Sequence, residues 1–218
     1  MTESKPVVAI LGGTGKEGPG LAMRWAFAGY PVIIGSRQAE KAQATAAEIN
    51  AQLGIDTVRG MENGAAARLA DISVLTVVQS AQDEALLAVR DALHGKILVD
   101  ATARVDFRDP RPPAPPAAAR HAQDILGGGV RVVAAFQNVP AHILKKNLDG
   151  DIATDVLICS DDTTAAEVVI QLAKAIGMQA YYAGGLDNAV VVEGLTALLI
   201  SINKHYGVKN TSIGISGI

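Results

Sequence analysis

Three glycines stand where chemistry on phosphate is expected. In the stretch LGGTGKEG, Leu11 to Gly18, the residues Gly13, Gly15 and Gly18 satisfy G-x-G-x-x-G, with Gly12 as an extra glycine. The first glycine permits a tight turn, the second lets backbone approach a pyrophosphate, and the third lets the following helix pack closely on the sheet. The free N–H groups and positive end of that helix favour an anion, and Thr14 adds a hydroxyl. The context strengthens the motif: a β-branched run precedes it, an alanine-rich stretch follows, and PVIIG supplies a second strand at the right distance. In an NAD site that second strand ends in Asp or Glu, whose carboxylate accepts from the ribose hydroxyls and repels an added phosphate. Here stand Gly35, Ser36 and Arg37, with Lys41 one turn into the next helix. A guanidinium pairs with phosphate through two hydrogen bonds, and a hydroxyl and an ammonium complete the cage. The expected cofactor is NADP.

Further candidates follow from where strands end. Thr76, Val77 and Gln79 follow the strand DISVL, at the turn expected to pass the nicotinamide ribose, with contacts mainly through backbone. Gln137 and Asn138 end a later strand, where their amides face either the nicotinamide carboxamide or the ring of a second reactant. Hydride transfer asks for orientation, dryness and charge rather than a nucleophile, so no Ser-His-Asp arrangement is needed. A carbonyl or imine reactant needs a positioned acid, and His142, after Pro140, is the candidate; an exposed loop histidine is the other reading. Gln137 and His142 are therefore the catalytic candidates. His94, His121 and His205 read as surface residues, and one of Tyr181 and Tyr182, which alternate on a strand, as core. No histidine and carboxylate pair has metal-ligand spacing, so no metal is expected. The single cysteine, Cys159, reads as a buried small hydrophobe.

These residues need a scaffold of alternating strands and helices. The 218 residues are 49% hydrophobic and 19% charged, a balance that suits a sheet covered on both faces. Helices are expected over 16–28, 38–53, 63–69, 81–93, 163–176 and 188–206, with strands between them. The repeated βα pattern predicts an α/β fold, a Rossmann-type doubly wound parallel sheet with a small C-terminal helical extension. Residues 1–150 are expected to form the NADP-binding part, and 151–218 to complete the second-reactant cleft and a dimer interface. Five of the nine prolines fall between Arg104 and Arg120, so segment 104–116 is a loop, either a rim or lid of the site or a solvated connection. Its Arg104, Arg108 and Arg111 are candidates to clamp an anionic reactant, offset in part by Asp106 and Asp109. The last helix is apolar on nearly every face, which predicts burial against another subunit or a cleft, and hence a homodimer. A net charge of −3 argues against nucleic acid as a partner. MTESKP lacks the apolar region of a signal peptide and no apolar run is expected to reach a membrane span, so the expectation is a cytoplasmic protein with no membrane part.

The stretch VVAILGGTGKEGPGLAMRWAFAGYPVIIGSRQAEKA resembles the N-terminal signature of NADP-dependent oxidoreductases of the deazaflavin coenzyme F420, in which G-G-T-G, G-S-R and E-K-A occur at this spacing. The resemblance continues through DISVLTV, VVAAF with VPA, DVLICSDD and VEGLTALLISI. It implies a dimer, and hydride exchange between nicotinamide C4 and deazaflavin C5. Departures gather on the second-reactant side: Gln137 stands where that family usually has histidine, Ala189 and Val190 where it has Ser-Arg, and Gly194 where it has serine. These changes keep open another small acceptor, a flavin, a carbonyl or an imine, and a non-catalytic NADP-binding redox sensor.

Overall fold

The computed structural model describes residues 4–218; Met1–Glu3, the start of the MTESKP segment, lie outside the described residues. Six short strands carry the fold: β1 (Val8–Leu11), β2 (Val32–Ser36), β3 (Arg59–Glu62), β4 (Ile72–Leu75), β5 (Ile97–Asp100) and β6 (Arg131–Ala134). They lie in the order β3-β2-β1-β4-β5-β6, all parallel. β1, β4 and β5 are buried along their whole length, which is why they read as continuous apolar runs rather than alternating ones. The chain winds outward from β1 to β3 and then restarts at β4 on the other side. That reversal opens a crevice above the C-terminal ends of β1 and β4, the place where open α/β sheets bind ligands.

Helices α1 (Gly18–Phe27), α2 (Ala39–Leu53), α3 (Asn63–Leu69), α4 (Gln82–Val89) and α5 (Ala118–Leu126) flank this sheet. α1 starts at Gly18 rather than at Lys16, with Pro19 in its first turn, where a missing N–H costs nothing. The expected helix 81–93 divides: α4 ends at Val89 and the chain tightens into a 3₁₀ turn, Arg90–Leu93. α5 has no counterpart among the expected helices, because its inward face is built from Ala118, Ala119 and Ala122, which mark no apolar stripe beside the proline-rich segment.

A second unit follows: β7 (Val156–Ile158), α6 (Thr163–Lys174), β8 (Ala180–Tyr182) and α7 (Ala189–Tyr206). β7 and β8 pair in parallel as a separate two-stranded sheet, tied to β6 by an antiparallel bridge between Ala134 and Cys159. Cys159 is fully buried, as expected, and burial pushes its thiol up to about 11. Tyr181 is half-buried and Tyr182 exposed, so the expectation of a tyrosine in the core fails; Ala180 fills the inward position of β8 instead.

Two residues of α1 fasten the units together. Trp25 donates its Nε1–H to the Leu172 carbonyl at 2.9 Å and meets Phe136 edge-on, with ring centroids 5.8 Å apart. Arg24, buried, reaches five main-chain carbonyls, those of Leu144, Lys146, Asn147, Gly150 and Ile176, at 2.7 to 3.3 Å. A buried guanidinium needs such a full set of acceptors.

Within Leu186–Tyr206 an 18-residue window has a mean hydropathy of 1.4, enough by length and composition alone for a membrane span. In this fold the stretch packs on α5 and carries Glu193, fully buried, at its centre. Val191, Leu198 and Tyr206 remain exposed along it.

Candidate functional site

The glycine loop is fixed at both ends. Gly13 N–H donates to the Gly35 carbonyl at the end of β2 (2.9 Å), and Gly12 N–H donates to Asn63 Oδ1 at the start of α3 (3.1 Å). Gly12 sits at φ +68°, and a Cβ there would lie 2.5 Å from Val77 Cγ1, so both conformation and space demand glycine. A Cβ on Gly18 would lie 2.6 Å from Gly13 Cα. The close approach at Gly18 is therefore to the loop's own first glycine rather than to the sheet, and it folds the loop back over the start of α1.

Beside the loop lies a cavity of about 350 Å³. Gly12, Thr14 and Gly15 form one side, and Ser36, Arg37, Gln38 and Lys41 another. The rest of the lining comes from Thr76, Val77 and Val78 after β4, from Ala81, Glu84 and Ala85 in the α4 region, and from Asn63. The structure thus brings Thr14, Gly15, Ser36, Arg37, Lys41, Thr76 and Val77 together around one cavity. Gly13 and Gly18 are buried and do not line it. Gln79 is exposed on the 3₁₀ turn Gln79–Ala81 and does not line the cavity.

The charges suit an anion at the Arg37 end. Ser36 is buried and accepts from Gln38 N–H at 3.2 Å, which closes the turn that presents Arg37. Arg37 reaches across to Glu84 at 3.7 Å, with side chains 75% and 72% exposed. Such a pair is worth about 0–1 kcal/mol, so an incoming phosphate can displace Glu84. Asn63, Gln38 and Glu84 went unnoticed in the sequence; Gln38 and Glu84 lie in ordinary helical surroundings, and Asn63 gave a signal only as a polar residue opening a short helix.

Glu17, at the junction of loop and helix, is the other residue the sequence reading passed over. Its Oε1 is sealed from solvent with no hydrogen-bond partner among the described residues, and burial pushes the carboxyl up to about 8. The shift favours the neutral form, which places no negative charge beside the loop.

A second polar group lies at the C-terminal ends of β5 and β6. Phe136 adopts φ +73°, rare for a bulky side chain, and this turn carries Gln137 and Asn138 away from the strand. Gln137 donates Nε2–H to the Asp100 carbonyl (2.9 Å), and its Oε1 is buried without a partner among the described residues. Asn138 donates Nδ2–H to the Asp155 carbonyl (2.8 Å), and its Oδ1 is likewise unpartnered. Asp100, fully buried, accepts from Gln82 Nε2 (2.5 Å) and Thr102 N–H (2.9 Å). Burial lifts its carboxyl to about 6, these hydrogen bonds hold it down in part, and the charge of Glu193 adds to the rise. His142, by contrast, is exposed on the turn Ala141–Ile143 and belongs to neither group.

The segment expected to be a loop is one. Arg104 is committed to Glu193 at 3.0 Å, and Arg111 pairs with Asp109 at 2.9 Å in the open. At the departures on α7, Ala189 is buried, and a Cβ on Gly194 would stand 3.5 Å from Pro112 of that loop.

Comparison with known proteins agrees with this geometry. Residues 7–104 match the family described as NADP oxidoreductase, coenzyme F420-dependent. The chain is 40% identical to the F420-dependent NADP reductase of Methanothermobacter thermautotrophicus, over 97% of this chain and 95% of that one. It is 38% identical to the F420-dependent NADP reductase of Methanocaldococcus jannaschii, over 97% and 98% of the two chains. A solved structure from Arthrobacter sp. FB24, provisionally described as an F420-dependent NADP reductase, superposes with a TM-score of 0.78 at 25% identity, over 96% of this chain and 99% of that one. A match of this extent, on a parallel sheet with a glycine loop and a basic end to β2, leaves one conclusion: the chain belongs to the family of coenzyme F420-dependent NADP oxidoreductases.

Proposed function

We propose that the chain is an NADP(H)-dependent oxidoreductase that exchanges hydride with a deazaflavin acceptor of the F420 type. The observation that carries the cofactor half is the end of β2, where Ser36 and Arg37 stand in place of a carboxylate, with Lys41 and Thr14 on the same cavity. In this reading Thr14, Ser36, Arg37 and Lys41 hold the 2′-phosphate, and the loop of Gly13, Gly15 and Gly18 holds the pyrophosphate. Thr76 and Val77 pass the nicotinamide ribose. Gln137 Oε1 and Asn138 Oδ1, both buried and unpartnered, support a role in orienting the carboxamide or the acceptor ring. Bound NADPH supplies the hydride; the protein supplies orientation and a water-poor surface. Residues 1–150 hold NADP, and 151–218 complete the acceptor side. Val191, Leu198 and Tyr206, exposed on α7, support a homodimer formed through that helix. We place the enzyme in the cytoplasm.

One observation favours a second acceptor class. Ala189, Val190 and Gly194 are apolar positions near the start of α7, Ala189 buried and Pro112 against Gly194, and the lack of a charge or hydroxyl there suits a smaller, uncharged flavin, carbonyl or imine compound. The test is direct transfer of label. NADPH carrying deuterium at C4, in each stereochemical form, is incubated with oxidised F420; deuterium at C5 of the product from one form is expected. Label lost to water, or binding of NADPH without reduction of F420, would overturn the deazaflavin assignment.

A further inference from the structure

We propose that Glu193 is a positioning residue that latches the proline-rich segment onto α7 and so fixes the acceptor side of the site, an inference that rests on the function proposed above. The carboxylate is 0% exposed, and it is held by groups from that segment and its end. Oε2 accepts from Arg104 Nε at 3.0 Å and from Arg104 N–H at 3.3 Å, while Oε1 accepts from Ala118 N–H at 2.6 Å. One carboxylate thus closes residues 104–118 into a loop pinned at both ends on one turn of α7. Arg104 also donates Nη2–H to the Ala114 carbonyl at 2.9 Å, which ties the two arms of the loop to each other.

The latch is joined to the residues at the ends of β5 and β6. Gln82 donates Nε2–H both to Asp100 Oδ2 and to the Ala118 carbonyl (3.1 Å), so the residue gripped by Glu193 is itself gripped from α4. One turn along α7, Thr196 donates its hydroxyl to the Gln137 carbonyl at 2.8 Å. Glu193 and Thr196 therefore set the position of α7 against both the loop and Gln137. Neither grips the glycine loop or Arg37, so the two halves of the site are held by separate contacts. A buried carboxylate with this set of donors is costly to leave half-satisfied, and loosening it should free the loop as a unit.

The variants are Glu193→Gln, which keeps the shape and removes the charge, and Arg104→Met, which keeps the stem and removes the guanidinium. Both are measured for KM and kcat with F420 and NADPH, and for amide hydrogen exchange. The latch predicts about a tenfold rise in KM for F420, the scale of one lost charge-assisted hydrogen bond. KM for NADPH stays within about twofold, and exchange quickens over 104–117 while the glycine loop is unchanged. A merely structural role would move both KM values together, or leave exchange over 104–117 as in the wild type, and either result overturns the proposal. If Glu193→Gln does not fold, Arg104→Met carries the test. A wild type inactive on F420 would overturn the proposed function instead, and the exchange comparison would then decide the latch alone.

Discussion

Glu17→Gln replaces the half-buried carboxyl at the end of the glycine loop, whose Oε1 is sealed from solvent, by a neutral group of the same shape, and its effect on stability must depend on pH in a defined way. Below pH 4.5 the glutamic acid is protonated whether the chain is folded or unfolded, so the two proteins differ only by a constant. Between 4.5 and about 8 the unfolded chain has released this proton and the folded chain has kept it. Unfolding then releases a proton, and the wild type loses stability as pH rises; above about 8 the loss is complete. The slope over that window is about 1.4 kcal/mol per pH unit, and the full difference reaches about 5 kcal/mol. The unpartnered oxygen is common to both side chains, and the added NH₂ shifts the whole curve without changing its slope. Urea unfolding of both proteins from about pH 4 to about pH 9 measures this directly, because every other titrating group cancels in the difference. A difference that stays flat across the range would refute the reasoning, since Glu17 would then be ionised in the folded protein. The same ionisation puts a negative charge at the glycine loop, the proposed pyrophosphate site, so NADPH affinity should fall above about pH 8 in the wild type and not in the variant.

Three further outcomes are expected. Arg37→Ala should weaken NADPH by tenfold or more and leave NADH within about twofold, while Glu84→Gln, which releases Arg37 from its weak exposed partner, should tighten NADPH by about two- to fivefold; calorimetric titration reads both, and equal effects on the two cofactors would sink the phosphate cage. Arg24→Met leaves five carbonyls short of a donor and should cost about 3 kcal/mol or more, read as a lower urea midpoint; a loss under about 1 kcal/mol would show that water replaces the guanidinium. Leu198→Asp on the exposed face of α7 should turn a dimer into a monomer in sedimentation, and a wild type that is already monomeric would contradict the proposed interface.

Much of the cofactor side was legible because its logic is local. LGGTGKEG, the strands around it and the Ser36-Arg37 end of β2 are consecutive in sequence, and local spacing alone predicted that they would share one cavity. The short helix expected around 63–69 is α3, since its ends coincide with Asn63 and with the apolar strand that follows. What stayed hidden depends on partners far along the chain. Arg24 looks like a surface arginine until carbonyls 120 to 152 positions away close on it. Glu193 sits in an apolar helix whose pattern says only that it is buried, and its partners Arg104 and Ala118 lie 89 and 75 positions earlier. Glu17 carries no signal of its own in the sequence, and only the fold shows its Oε1 shut off from solvent. α5 escaped because alanines pack tightly without announcing a face. His142 looked well placed by its distance from a strand end, yet the turn at Ala141–Ile143 carries it outward.

The measurement that bears most directly on the account is the initial rate of F420 reduction by the purified protein with NADPH and with NADH, with FMN and riboflavin run as alternative acceptors. The account predicts reduction of F420 by NADPH, a rate lower by on the order of a hundredfold with NADH at matched concentration, as expected for loss of two charge-assisted contacts, and no reduction of either flavin. Equal rates with the two nicotinamides, or turnover of a flavin in preference to F420, would contradict it.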